Sequence, residues 1–486
     1  MKRFVQGWTL PVVLLVFACV AFLRVSVYHP ALLTGNDLFW HLEYGNYILE
    51  HGALPTVDWL TWTSAGQPYQ ITQWLGEVLL ALPVKLGGPL LLSITLTAAA
   101  CLTLFFAWRT AALYVHHPVI ALYVALFTIF PVLTLNARPQ VFGLTCFSAL
   151  VWVLAVWLER RERWALWAMS AVMVCWVNLH GSYIIGVVYI AALGGGAWLG
   201  TLAEMKGKFF ASVHAHLPLA IASFTAIFAV LINPYGWHAF EYVLQISQLE
   251  TTKSGVISEW AATSLTTGHG QAFFIIFFVV LLSMSLAKQR PTLQSMLGFL
   301  GTVYFGLQAD RQSLIALLAL VPYFAQSLQS SWMESELERK LAIYVPLWKG
   351  VMVLTIGGGL GYAMHSMSAQ HIENNFERMY PVKLMRYLDE KKIDGKIFNK
   401  VEYGGYIESL GKKAFIDGRL DLFKDEMALG SFNALNGKAG WQAFLDKYKP
   451  DLYILDNEDV LVESLLKTNK CNYIYLDKYH SALQCS

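Results

Sequence analysis

Apolar residues in this chain come in long runs. They lie near 9–28, 88–108, 117–135, 140–158, 164–180, 183–203, 213–232, 271–287, 292–308, 312–328 and 346–366. Each run approaches the roughly 20 residues that a helix needs to cross the hydrocarbon core of a bilayer. Several are short or contain Pro and Gly, so their ends are soft. The pattern predicts a polytopic α-helical membrane protein with about 11 transmembrane helices. The first run, within MKRFVQGWTLPVVLLVFACVAFL, reads as an uncleaved helix rather than a signal peptide. Lys2 with Arg3, Arg109, Arg160 with Arg161 and Arg163, Lys206 with Lys208, Lys288 with Arg290, and Arg339 with Lys340 fall at every second connection. Basic residues collect on the cytoplasmic side, so the N-terminus is expected inside and the C-terminus outside.

From about residue 367 the pattern changes. Short strand-like runs at 396–399, 414–417, 452–455, 473–476 and 482–484 alternate with helical stretches at 380–392, 404–410, 425–434, 439–448 and 458–467. Alternation of this kind argues for a soluble α/β domain. The expected division is a membrane domain over 1–366 and a periplasmic α/β domain over 367–486. A first external loop over 29–87 carries interfacial helices. Within that loop ITQWLGEVLLALPVKL is amphipathic, with Gln73, Glu77 and Lys85 opposed to Trp74, Leu75, Val78, Leu79 and Leu82. Most of its aromatics (Phe39, Trp40, Tyr44, Tyr47, Trp59, Trp62, Tyr69 and Trp74) are expected to anchor at the headgroup layer.

Composition agrees with a membrane chain and excludes a soluble one: 56% of the 486 residues are apolar and 14% charged. The net charge of +2 is uninformative, and no basic tract suggests nucleic acid. Six cysteines show no CxxC or metal-ligand spacing. Cys19, Cys101, Cys146 and Cys175 lie in apolar runs and read as small core residues. Cys471 and Cys485 flank CNYIYLDKYHSALQC, read as two strands turning at 477–479. Pairing about that turn sets Ile474 opposite Ala482 and Cys471 opposite Cys485, so a disulfide is expected in an oxidising compartment. The alternative is two free thiols.

The alternation of spans also sorts the polar residues. Asp37, NARPQ (136–140), NLHGS (178–182), NPYGW (233–237), Glu259–Trp260 and DRQ (310–312) all fall at the outer face. Polar groups at a membrane boundary are costly unless they line a wet cavity. One outward-facing polar cavity is the simplest reading. Taken alone, Asp37 is equally well a helix N-cap, and Asp58 a loop cap. Asp37 and His41, four apart, share a helix face, whereas Glu43 points elsewhere and reads as structural.

The order of parts in GNDLFWHLEYGNYILEHGALPTVDWLTWTSAGQPYQITQWLGE resembles the opening external loop of multi-spanning membrane glycosyltransferases of the GT-C type. RPQVFGL (138–144), WVNLHGSY (176–183), INPYGW (232–237), SEW (258–260), EYGGY (402–406) and FIDGR (415–419) resemble a bacterial branch of that superfamily. The resemblance implies a GT-C fold and a polyprenyl-phosphate- or pyrophosphate-linked sugar donor. Its acceptor would be a lipid, glycan or protein at the outer face of a bacterial inner membrane. In such chemistry a base accepts the acceptor's proton, a role that falls to Asp37. The departing phosphate needs fixed donors, for which Arg138, Arg311, His180 and Asn178 are the candidates. Other cavity candidates are His41, Gln140, Asp58, Glu259 and Trp260. Members of the superfamily divide on metal use; no DxD follows the first span here, so no cofactor is expected to be required, with a divalent cation held by acidic and His residues of the loops as the alternative. The main rival is a transporter or flippase of a lipid-linked glycan, which should show polar residues at both faces and internal repeat symmetry. A ligase- or polymerase-type sugar transferase of another fold would place its key residues in a long late loop. In the tail, Asp417–Gly418–Arg419 is either a functional loop or a buried ion pair fixing a turn.

Overall fold

The computed structural model describes residues 13–14, 16–21, 35–134, 137–205, 209–253, 258–329 and 369–485. The run at 346–366, most of the run at 9–28 and the basic residues Lys2, Arg3, Lys206, Lys208, Arg339 and Lys340 lie outside the described residues.

Every apolar run between 88 and 328 coincides with a helix. Helix α1 (Leu38–His51) opens the first loop. Helix α2 (Trp74–Ala111) joins the amphipathic stretch to the first apolar run after it. The joint is Gly87–Gly88, where Gly88 adopts φ 67° and Pro89 follows, a conformation that costs glycine little. The chain continues through α3 (Pro118–Ile129), α4 (Gln140–Arg160), α5 (Trp164–Leu179), α6 (Tyr183–Glu204) and α7 (Phe209–Phe228). Then come the amphipathic α8 (His238–Gln248), α9 (Gly268–Ser285), α10 (Leu293–Gln308) and α11 (Asp310–Gln329). Thr267 and Thr292 cap α9 and α10 through their side chains.

By length and composition four of the described helices can cross a membrane: α2, α4, α6 over Tyr183–Leu202, and α9. Shorter apolar helices cover Pro118–Leu133, Trp164–Leu179 and His216–Leu231. The described residues therefore do not reach the expected count of eleven. Helix α4 is central and α6 peripheral, with 78% and 17% of their most apolar windows buried. Leu96 and Leu104 of α2, Phe147 and Leu150 of α4, Met173 and Trp176 of α5, and Leu317 of α11 share one core. Phe210, Phe224, Ile275 and Phe278 face outward, as residues in contact with lipid do.

The tail begins with α12 (Ala369–Met379) and α13 (Val382–Glu390). It continues with β1 (Ile397–Asn399), α14 (Val401–Ser409), α15 (Leu420–Leu435), α16 (Trp441–Tyr448), β2 (Leu452–Asp456), α17 (Val460–Lys467), β3 (Cys471–Leu476) and β4 (His480–Cys485). The sheet order is β1-β2-β4-β3, with β1 parallel to β2 and the other pairs antiparallel. The run at 414–417 is not a strand of this sheet. Ala414 bridges to Thr61 of the first loop, and Trp62 N donates to Ala414 O at 3.0 Å. Asn399 occupies the next peptide groups, accepting from Phe415 N at 2.7 Å and donating to Ile416 O at 2.8 Å. These partners take peptide groups that a strand of the sheet would offer its neighbour. In the hairpin Cys471 faces Cys485 and the two are disulfide-bonded. Nearer the turn the register shifts, so that Tyr475 rather than Ile474 stands opposite Ala482.

The first loop is largely packed against protein, not arrayed at a headgroup layer. Trp40, Tyr44, Leu60, Tyr69 and Ile71 share a core with Phe398, Phe415, Ile416 and Phe423 of the tail. Phe39 packs edge-on to Tyr380 and Tyr406, and Trp62 Nε1 donates to Ile397 O at 2.9 Å. The loop is thus the surface on which the α/β domain sits.

Candidate active site

Asp37 occupies the N-cap position of α1, yet its side chain makes no capping hydrogen bond. Its Oδ2 instead lies 3.0 Å from Nη2 of Arg138. The same guanidinium donates from Nη1 to Glu259 Oε1 at 2.7 Å, so the planar fork of Arg138 bridges two carboxylates. Burial alone would raise the Glu259 carboxyl, but the Arg138 and Arg311 charges outweigh it and hold it below the usual range. Pro139 follows Arg138 and is the N-cap residue of α4.

These groups line a cavity of about 480 Å³ between the membrane helices and the tail. His41, Gln140, His180, Trp260 and Arg311 line it as well, and the tail contributes Glu402, Gly418, Arg419 and Asp421. Arg311 lies over the Trp260 ring, 4.5 Å from its centroid. Among the described residues it forms no ion pair. His180 receives the Ser182 backbone N–H on Nδ1 at 3.1 Å, so the neutral ring carries its proton on Nε2. Burial, with the charges of Arg311, His41 and Arg138, pushes its pKa down to about 3. His180 is therefore a neutral donor beside an unpaired guanidinium, a pair suited to a phosphate.

Two expected cavity residues lie elsewhere. Asn178 is buried; its Oδ1 accepts from Trp74 Nε1 at 2.7 Å, and its Nδ2 donates to Val174 O and Ile232 O, each at 2.8 Å. With those partners it is not free to hold a phosphate. Its role is to clamp the start of α2, together with Asn233, which donates to Thr72 O at 2.9 Å. Asp58 is not a cavity residue either. It is fully buried, accepts from Thr61 Oγ1 at 2.6 Å, and lies 2.7 Å from Nη1 of Arg419. Burial opposes its charge, but Arg419 and Thr61 prevail and lower its pKa.

Arg419 is the centre of a second ionic cluster. Its guanidinium pairs with Asp417 and Asp58, contacts the Tyr44 hydroxyl, and lies 3.6 Å from Glu408. All four charged side chains have 0% or close to 0% exposure. Burial, then the Asp417 charge, pushes Glu408 well above the usual carboxylate range, so Glu408 is the protonated member. Between this cluster and Asp37 runs Gly418, where any Cβ would collide with Asp37 Oδ1. FIDGR thus both locks the tail onto the first loop and places bare backbone against Asp37.

The sequence did not pair His41 with Glu77, 2.6 Å apart and both buried, nor Tyr242 with Asp421, also 2.6 Å apart. Asp421 lies two residues beyond the FIDGR motif, which was the available signal. Nothing local marked the partner of His41. Among the described residues no group of three or more His, Cys, Asp or Glu side chains is placed to hold a metal ion.

No protein-family model matches the chain, and no curated protein sequence matches it significantly. Solved structures do. The oligosaccharyltransferase of Archaeoglobus fulgidus, crystallised with a tethered acceptor peptide, superposes with TM-score 0.57 at 11% identity, over 94% of this chain and 70% of that one. The archaeal oligosaccharyltransferase AglB of Archaeoglobus fulgidus, in complex with an inhibitory peptide and dolichol-phosphate, gives 0.54 at 12%, over 93% and 69%. ArnT from Cupriavidus metallidurans, bound to undecaprenyl phosphate, gives 0.53 at 13%, over 98% of both chains. These similarities show the fold alone: the chain shares the architecture of these oligosaccharyltransferase and ArnT structures.

Proposed function

We propose that this chain is a membrane glycosyltransferase that moves a sugar from a polyprenyl-phosphate or -pyrophosphate donor to an acceptor at the outer face of a bacterial inner membrane. One observation carries this reading: the Asp37 carboxylate leaves its capping role to face a cavity holding an unpaired arginine, Arg311, and a neutral histidine donor, His180. The lipid phosphates bound by AglB and ArnT support the donor class.

Asp37 accepts the proton of the acceptor hydroxyl as it attacks the anomeric carbon. Arg138 orients Asp37 through the 3.0 Å contact and anchors it to Glu259. Charge then develops on the departing phosphate, where Arg311 and the Nε2–H of His180 receive it, with Arg138 at the edge. Gln140 and Trp260 complete the wall, and Trp260 presents its ring to Arg311. No cofactor is required for this displacement. In this reading the N-terminus lies in the cytoplasm and the α/β domain in the periplasm or outside the cell, so the cavity opens outward.

Replacing Asp37 by Asn tests the assignment. Transfer of labelled sugar from the membrane lipid pool should fall about 10²–10⁴-fold, with thermal stability and undecaprenyl phosphate binding unchanged. Turnover at the wild-type rate would make Asp37 a structural residue.

A further inference from the structure

The reaction as described leaves the His41–Glu77 pair unused. Glu77 sits in the first turn of α2 and is wholly buried. Its Oε1 accepts from Gln73 Nε2 at 3.0 Å, and its Oε2 lies 2.6 Å from His41 Nδ1. The two helices meet backbone to backbone here, since a Cβ on Gly45 would collide with the Glu77 carbonyl oxygen. The pair is therefore held by main-chain packing as well as by its own hydrogen bond. A carboxylate at Nδ1 fixes the proton there and leaves Nε2 as the second, exchangeable nitrogen. Among the described residues Nε2 has no hydrogen-bond partner, and the His41 ring lines the cavity.

The titratable and charged groups sharing that cavity are Asp37 from the start of the same helix, Tyr69 from the first loop, His180 from the end of α5, Tyr242 from α8, Arg138 and Glu259 from connections between helices, Arg311 from α11, and Arg419, Asp421 and Glu402 from the tail. His41 and His180 face this one space with opposite chemistry. His180 takes a backbone N–H on Nδ1 and stays a neutral donor. His41 offers its Nδ1–H to a carboxylate, which leaves Nε2 as the ring nitrogen available to carry a proton to a ligand in the cavity.

We propose that His41, oriented by Glu77, is the proton donor to the departing lipid phosphate. This rests on the transferase reading above and extends it to the leaving group. The bond between the anomeric carbon and the phosphate oxygen breaks, and its electron pair stays on that oxygen. The acceptor oxygen bonds to the anomeric carbon and its proton passes to Asp37. The Nε2 proton of His41 passes to the phosphate oxygen. Asp37 then holds one proton too many and His41 one too few. They lie one helical turn apart, with His41 N bonded to Asp37 O at 3.2 Å, and proton exchange through the cavity's solvent resets the site. No net proton is consumed. Glu77 is the positioning residue, and its charge offsets that of the imidazolium.

The test uses the full chain in lipid nanodiscs, with undecaprenyl phosphate as the probe and its affinity followed from pH 8 to pH 6. The probe's own phosphate titrates in this range, with a pKa of about 6, but it does so identically in every variant. Coupling to one protein proton adds up to about tenfold in affinity per pH unit. The wild type should gain that increment as pH falls, and H41Q should lack it while matching the wild type near pH 8. E77Q, which keeps the imidazole but removes its counter-charge, should retain only part of the gain. Because E77Q leaves the imidazole itself in place, it keeps the test open if H41Q fails to fold. Identical pH profiles in the wild type and the folded variants would overturn the proton-donor role and leave the transferase reading standing. Failure of the wild type to bind the lipid phosphate at all would overturn both.

Discussion

Two arginines define the two ionic clusters of this molecule, and their surroundings differ in one decisive respect. Arg419 is enclosed by Asp417, Asp58 and Glu408, every side chain fully buried. Arg138 is bracketed by Asp37 and Glu259 at 26%, 19% and 42% side-chain exposure. The residue types are the same. In the first cluster Arg419 is buried against the Asp417 and Asp58 carboxylates, so the cluster serves to hold the tail and the first loop together. In the second, solvent and a ligand can reach the carboxylates, and Arg311, which forms no ion pair among the described residues, lies on the same cavity wall. An arginine–carboxylate cluster is a fastener where it is sealed and a site where it is left open.

Breaking the sealed cluster should have the largest effect on stability. Arg419→Ala leaves buried carboxylates uncompensated, which costs about 3–5 kcal/mol. It should release the tail to limited proteolysis and lower the melting temperature. The corresponding change in the open cluster should leave the fold intact. Arg311→Ala should weaken undecaprenyl phosphate binding by about 10- to 150-fold, the scale of one charged hydrogen bond of about 1.5–3 kcal/mol. Arg138→Ala should weaken it less, because Arg138 already serves two carboxylates, and should mainly lower turnover. Equal binding losses for both would erase the distinction drawn here.

The smallest effect sharpens the sealed cluster. Glu408 holds a proton in the fold that it releases when unfolded, because burial raises its pKa. Its contribution is complete below the ordinary carboxylate pKa and is lost as pH rises toward the folded value. Glu408→Gln should therefore flatten the decline of melting temperature from about pH 5 to pH 8, while the change leaves Arg419 paired with Asp417 and Asp58.

Much of the architecture could be read along the chain, because helices and strands announce themselves by local period. The apolar runs from 88 to 328 became helices, and most strand-like runs of the tail became strands. The exception, 414–417, is instructive: its pattern was strand-like, but Asn399 and the first loop claimed its peptide groups. The cavity was partly legible, since Asp37, Arg138, His180, Glu259 and Arg311 all sit near the ends of apolar runs, and these ends converge on one cavity. Partners far apart in sequence were not. Asp58 looked like a loop cap because Arg419, its partner, is 361 residues away. Asn178 looked like a free donor because the carbonyls and indole that engage it come from other segments. His41 carried no sign of Glu77 for the same reason. Local pattern reports which face is buried, not which distant group will be waiting there.

The central claim is that the open cluster is the site of a lipid-phosphate sugar transferase. It is tested most directly by a cryo-electron-microscopy structure of the wild type in nanodiscs containing undecaprenyl phosphate. The phosphate is expected within hydrogen-bonding distance of the Arg311 guanidinium and His180 Nε2, beside Asp37, with the cavity closed toward the cytoplasm. A lipid headgroup seated away from Arg311 and Asp37, in a cavity opening to the cytoplasmic face, would contradict the claim and favour a transporter.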